Sequence, residues 1–522
     1  MERCLSQPVE RENHLDSDGN TGSINKARPW GLKWRCSTWF VTLVVGLGIT
    51  TDLLVYSIIV PIMPFHLEHL EYSGVSGLVG WLLFGYSAGL VVFTPPIALF
   101  SERYKSRKTP LIIGLFALVG AQIMLMEAPK YWVMVLARIL QGMSSSVVWV
   151  VGLALLCDTV PEAIVGRQLG LAMSGLSLGF LVGPSVSGAL YNAFGFHGPF
   201  IFGVIVTMVD LFGRLLIIER KKALLWGVDP AAVMAKDDGV DKEEKTFSSD
   251  VHNAQTPPTA IVTEIIEIPA ETTEIPADDA KMPYTLPSLG GGTDPMDAPT
   301  IPERGPALLT VLASLGKSSR ALSVFATTLI YGILYTSQEP ALPLYLQAQW
   351  NFNASKVGLV YIAAVVPTVF SSALTGWLSD RIGTAGVTVL CLALSLPWFS
   401  LLIIRGALAF FIVVYALANF FSSGVVSPLT AELAAVTRRL DGVGYAHVYG
   451  AFNLAYGIGS ALGPLIGGQI YEHVKHGWAT IWLLATGLAV VSMALAFCYF
   501  EEVSLLSKFI HCVDNLITKR GR

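Results

Sequence analysis

Apolar runs of about 20 residues recur along the chain from Thr38 to Phe500, and a helix of about that length crosses a bilayer core. Twelve can be placed. Six fall at 39–63, 78–99, 109–126, 131–156, 167–191 and 198–218, and six more at 321–345, 355–377, 386–404, 408–433, 443–468 and 478–500. The pattern predicts an all-α polytopic membrane protein with twelve transmembrane helices. Three polar stretches frame them. Residues 1–38 read as a disordered tail, 221–318 as a disordered linker rich in Pro, Thr and acids, and 503–522 as a second tail. What remains is a six-helix bundle over 39–220 and another over 319–502.

Composition supports this reading. Charged residues make up 14% of the 522 positions, against about 25% in a typical soluble domain. So little charge cannot cover a soluble surface, which argues against a cytosolic enzyme, and the net charge of -4 offers no basic footprint for nucleic acid. The six cysteines show neither metal-ligand spacing nor a disulfide framework. Lysine and arginine collect in the first tail, in the span 2–3 turn (Arg103, Lys105, Arg107, Lys108) and at Arg220, Lys221 and Lys222, whereas the span 1–2 and 5–6 loops contain none. The positive-inside rule therefore places both termini and the linker in the cytosol. The start lacks a short apolar stretch followed by a cleavage site, so the first span is expected to act as the insertion signal.

The two bundles share motifs. Pro61 and Pro64 match Pro340 and Pro343 at an offset of 279, Arg103 matches Arg381 at 278, and Gly183-Pro184 match Gly463-Pro464 at 280. One offset, kept within a residue or so, indicates a six-span unit used twice. Parallel repeats of this kind are a transporter architecture with its substrate site between the repeats near the midplane.

At these motifs the sequence resembles the major facilitator superfamily, over nearly the whole chain outside tail and linker. The family's span 2–3 motif is close to intact as Gly376, Leu378, Asp380, Arg381 and Gly383, and degraded in the first half as Ala98, Glu102, Arg103 and Arg107. Arg138, Gln141 and Gly142 match its span 4 motif. Gly179, Gly183, Pro184 and Gly188 in span 5, repeated as Gly459, Gly463, Pro464, Gly467 and Gly468 in span 11, look like the antiporter motif of the twelve-span drug:proton antiporters. Spans 1 and 7 also resemble those of vesicular amine transporters and their fungal relatives, so that Asp52 and Glu339 match acids of that branch. Tyr86, Asn453 and Val426 stand where the amine carriers have a Lys and two Asp, which points to the fungal branch, whose members export varied metabolites and drugs.

Three charged residues lie deep in the spans. Asp52 sits mid-span, where a carboxylate costs about 3 kcal/mol unless it faces a wet cavity, pairs or takes up a proton. It is a candidate proton-coupling site, the alternative being a structural hydrogen bond to a neighbouring span. Glu339 is read as a second such site, or as a cap for backbone freed by Pro340. Arg138 stays charged and needs a partner among Asp52, Glu339 and backbone carbonyls. Tyr56, Tyr86, Gln141, Trp149, Tyr335, Gln338, Asn453 and Tyr456 are candidate cavity residues. Glu102, Arg103, Arg107, Gly376, Asp380, Arg381 and Gly383 are read as a cytosolic gate, and Asp210 with Arg214 as a structural pair. Asn353 opens a glycosylation sequon.

The expected function is secondary export of a small organic molecule by proton antiport with alternating access, without catalysis, cofactor or metal. The partners are the substrate, protons and lipid, with the chain a monomer in the plasma membrane. Amine or organic-acid exchange or uptake, a vacuolar or vesicular address, and a non-transporting sensor are the alternatives.

Overall fold

The computed structural model describes residues 29–103, 107–161, 164–230, 316–437, 445–501, 504–508 and 510–511. Most of the expected first tail, linker and final tail lies outside the described residues. Among the described residues the secondary structure is helical, with no strand.

Each span begins and ends for local reasons. The Ser37 hydroxyl accepts the Phe40 N–H at 3.3 Å and opens α2, Thr38–Ser57. Pro61 has no N–H to offer, and the first span continues past Ile58 as a separate α3, Ile59–His69. There follow α4 (Val75–Arg103), α5 (Lys108–Met126) and α6 (Tyr131–Val147). A π-helical turn at Val148–Gly152 leads into α7, Leu153–Thr159, completing the fourth span. The half closes with α8 (Val165–Phe194) and α9 (His197–Leu216).

The second half runs through α11 (Ser319–Thr336), α12 (Leu342–Trp350), α13 (Ala354–Ile382) and α14 (Thr384–Leu401). It ends with α15 (Leu408–Ser423), α16 (Val426–Thr437), α17 (Tyr445–His473) and α18 (Gly477–Tyr499).

Ten helical stretches among the described residues are long and apolar enough to cross a membrane. The other two expected spans are helical but less apolar. The seventh is interrupted by the turn between α11 and α12, with Arg320 at the start of α11, and the eleventh, α17, is rich in glycine.

Within the first half α2 packs on α8, α4 on α6 and α5 on α9; within the second, α11 packs on α17, α13 on α15 and α14 on α18. The halves meet along two long seams, α4 with α17 and α8 with α13. The seams are equivalent under the repeat. A Cβ on Gly358 would lie 2.6 Å from the Pro184 carbonyl, and one on Gly80 2.5 Å from the Pro464 carbonyl. Gly188 abuts the Ala354 carbonyl as Gly468 abuts that of Ser76. Where the repeat axis emerges, the Gln347 amide donates to Glu68 at 2.9 Å, and these two positions are themselves 279 apart. The bundle is thus closed at the end that holds α3 and α12, opposite its basic end.

At the basic end the fold is more extensive than the expected boundaries. Two short helices, α1 (Leu32–Arg35) and α10 (Arg220–Leu224), pack beside the end of α9. Leu32, Cys36, Ile218 and Ala223 form a small separate core, with Trp226 and Val228 against it. The linker expected from 221 therefore begins as folded chain up to 230. Apolar Ala223, Trp226 and Val228 interrupt its polar pattern, and Leu32 and Cys36 of the supposed tail give them something to bury against.

Candidate functional site

Near the middle of the bundle α2, α4 and the α6–π segment bring Asp52 its partners. Ser145 donates to Asp52 Oδ2 at 2.6 Å, the Trp149 indole N–H at 2.9 Å, and the Tyr86 hydroxyl lies 3.1 Å from both carboxylate oxygens and 2.8 Å from Ser145. Gly142 makes this approach feasible, since any Cβ there would run into the Tyr86 carbonyl. The π turn begins one residue before Trp149, and such turns are frequent at functional sites.

Glu339 reaches the same region from the other half. Its Oε2 accepts the Tyr56 hydroxyl at 2.7 Å, a polar link between halves at the centre of the molecule. It does not serve as a backbone cap, because the turn after α11 is closed by the Ala341 and Leu342 N–H groups donating to the Gln338 carbonyl.

Arg138 lies between the two acids and bonds to neither directly. Its guanidinium sits 5.3 Å from the Tyr56 ring centre and 4.7 Å from that of Tyr86, while Nη1 donates to Gln141 at 2.7 Å and Nε to the Leu82 carbonyl at 3.3 Å. Two tyrosines therefore hold the cation by their faces and the carboxylates by their hydroxyls, giving the order Asp52–Tyr86–Arg138–Tyr56–Glu339. Nη2 has no hydrogen-bond partner. Cation–π contacts of this kind gain strength when desolvated, and Arg138 is fully buried.

Beside Glu339 lies a cavity of about 20 Å³, room for about one water. Phe180, Tyr335, Gln338, Tyr361, Tyr415 and Asn419 are in its wall. The Gln338 Oε1 and the Tyr361 hydroxyl are both buried without hydrogen-bond partners. An unmet buried polar atom costs about 1–3 kcal/mol, and two residues of the wall carry polar groups whose hydrogen bonding is unfilled.

Of the residues singled out in the sequence, Asp52, Arg138, Glu339, Tyr56, Tyr86, Gln141 and Trp149 form one connected cluster, and Tyr335 and Gln338 line the adjoining cavity. Asn453 and Tyr456 do not line it; Tyr456 continues a ring series through Tyr331, 6.0 Å away, to Tyr335. Ser145, Tyr361, Tyr415 and Asn419 escaped the sequence reading. The run Ser144–Ser146 and the mid-span amide of Asn419 were the available signals.

The antiporter glycines divide by role. Gly179 and Gly183 pack on α2, and Gly459, Gly463 and Gly467 on α11 and the turn after it, each within its own half. Gly188, Gly468 and the carbonyls of Pro184 and Pro464 face the opposite half.

At the basic end Arg107 pairs with Asp158 of its own half at 3.1 Å, and Arg381 lies 4.0 Å over the Trp377 ring of its own helix. Gly376 approaches Ser427, also in its own half, and Gly383 takes φ +89° at the turn into α14. The side chains of Glu102, Arg103 and Asp380 lie outside the described residues. Asn353 is exposed and caps α13 by accepting the Lys356 N–H at 3.1 Å.

A helical bundle with paired six-span halves and a charged cluster between them defines a polytopic membrane transporter. The family model of the Major Facilitator Superfamily matches residues 39–257 and 324–509, and the chain belongs to that family. It is 26% identical over 491 residues to the MFS-type transporter ppzB of Metarhizium rileyi, covering 90% of this chain and 96% of that one. The vesicular acetylcholine transporter of Drosophila melanogaster is 22% identical, with 91% of this chain and 72% of that one covered. Among solved structures, a D-xylose-proton symporter aligns with a TM-score of 0.61 at 13% identity over 89% of this chain and 97% of its own, which shows the shared fold.

Proposed function

We propose that this transporter exports a small organic molecule in exchange for protons, by alternating access between its two halves. The observation that carries the reading is the chain Asp52–Tyr86–Arg138–Tyr56–Glu339, two buried carboxylates linked to one buried cation. Ionised carboxylates at bilayer depth are costly, so loading and unloading a proton there changes which arrangement of the halves is stable. In this mechanism a proton arriving from outside neutralises the acids and releases the substrate. The halves then rock, and the proton leaves to the cytosol before the next substrate binds. The plasma membrane, with cytosolic termini, is the address that suits an exporter. In proteoliposomes, Asp52→Asn is expected to abolish export driven by an imposed pH gradient while leaving the amount of inserted protein unchanged. Undiminished, gradient-dependent export by that variant would overturn the proposal.

A second reading, that the substrate carries a cationic nitrogen, draws support from Glu339 beside an aromatic-walled cavity. Rings and a carboxylate together suit an organic cation. An aromatic amine should then compete for transport far better than its neutral isostere, and Glu339→Gln should erase the difference. Equal competition by both compounds in the unaltered protein would remove this reading and leave proton exchange standing.

A further inference from the structure

The small core at the basic end joins chain from before the first span to chain after the sixth. The Arg35 guanidinium donates to the Leu216 carbonyl at 2.6 Å, and Lys108 Nζ to the carbonyls of Leu215 and Ile217 at 2.5 and 3.0 Å. These cations lie at the negative end of α9, and Lys108 also interacts with the Glu219 carboxylate. Glu219 accepts the N–H groups of Arg107 and Lys108 at the start of α5, and Asp229 pairs with Arg220 at 2.9 Å. Lys33, Lys221 and Lys222 form no ion pair among the described residues. Positive charge therefore accumulates on this unit.

Large apolar side chains project from the same unit. Trp30 is 76% exposed and Leu225 83%, with Trp34, Trp39 and Leu224 also exposed. Pro29, Gly31, Lys33 and Trp34 border a shallow open groove. Indole rings settle at the level of lipid headgroups, and lysines near the membrane surface attract anionic lipids of the cytoplasmic leaflet. Neither feature alone names a ligand. Their juxtaposition on one folded unit does, because a phospholipid offers apolar chains and a negative headgroup side by side.

We propose that α1 and α10 form a binding site for the headgroup of an anionic phospholipid, with Lys33, Lys221 and Lys222 holding the phosphate and acidic groups and Trp30, Trp34 and Leu225 seated among the chains. The site lies apart from the central cluster and does not depend on what is transported.

The test uses the full chain in nanodiscs of phosphatidylcholine with and without phosphatidylserine, and native mass spectrometry to count retained lipids. The unaltered protein should retain phosphatidylserine in preference to phosphatidylcholine. The variant Lys33→Gln/Lys221→Gln/Lys222→Gln should lose that preference by about fivefold per lysine, and the Lys→Arg triple should keep it. Equal retention by the Gln triple, or loss in the Arg triple, would overturn the site. Displacement by soluble glycerophosphoserine would reassign it to free phosphates. That reassignment also overturns the proposal.

Discussion

Asp210 and Arg214 form an ion pair buried to within a few per cent, both carboxylate oxygens lying 3.1 Å from Nε. They sit one helical turn apart in α9, and the guanidinium lies against Gly48 of α2, where a Cβ would overlap it. Removing one partner leaves the other charge buried, which costs about 3–5 kcal/mol. Asp210→Ala should therefore lower the thermal unfolding midpoint in detergent sharply, and Asp210→Ala/Arg214→Leu should recover much of the loss; a double variant no better than the single would refute the pairing argument. The spacing of this pair was readable in the sequence. So were Asp52, Arg138 and Glu339, because charge is rare in the spans. Ser145 and Tyr361 were not, since hydroxyls and tyrosines are common in helices and only the facing partner distinguishes them.

At the scale of elements, the two seams make a symmetric prediction. Gly358 meets the Pro184 carbonyl and Gly80 that of Pro464, both so closely that even a Cβ would overlap the oxygen. A leucine at either position has no space while the α3–α12 end is closed. Gly358→Leu and Gly80→Leu should each hold that end open, raising severalfold the reactivity of a cysteine placed at Asn419 toward an impermeant maleimide added from that side. Unchanged labelling in both variants would show that the seams do not govern access. The glycine spacing was legible from the sequence alone. The helical period also sets Gly188 half a turn from Gly179, and Gly468 half a turn from Gly459; which helix each side meets was not legible, because only the packing places α2 or α11 on one side and the opposite half on the other.

At the scale of the whole molecule, contacts between the halves among the described residues run through helices, and the folded chain after the sixth span continues to 230. Excising 231–315 and joining the ends through a flexible spacer should leave pH-driven transport within about twofold, measured in the same vesicles; loss of transport with normal insertion would assign the linker a working part. The sequence by itself determined the class of fold, the two halves and the three charges between them. Burial of some 20 apolar residues per span, a repeat at one offset and the cost of charge in lipid are properties of the chain read in order. The tertiary structure alone decided that Arg138 touches tyrosine rings in place of acids, that Glu339 answers Tyr56 rather than its own backbone, and that the chain on either side of the first half folds into a platform. Each of these depends on residues far apart in sequence brought face to face, and no local pattern encodes which of several acceptable partners lies within 3 Å.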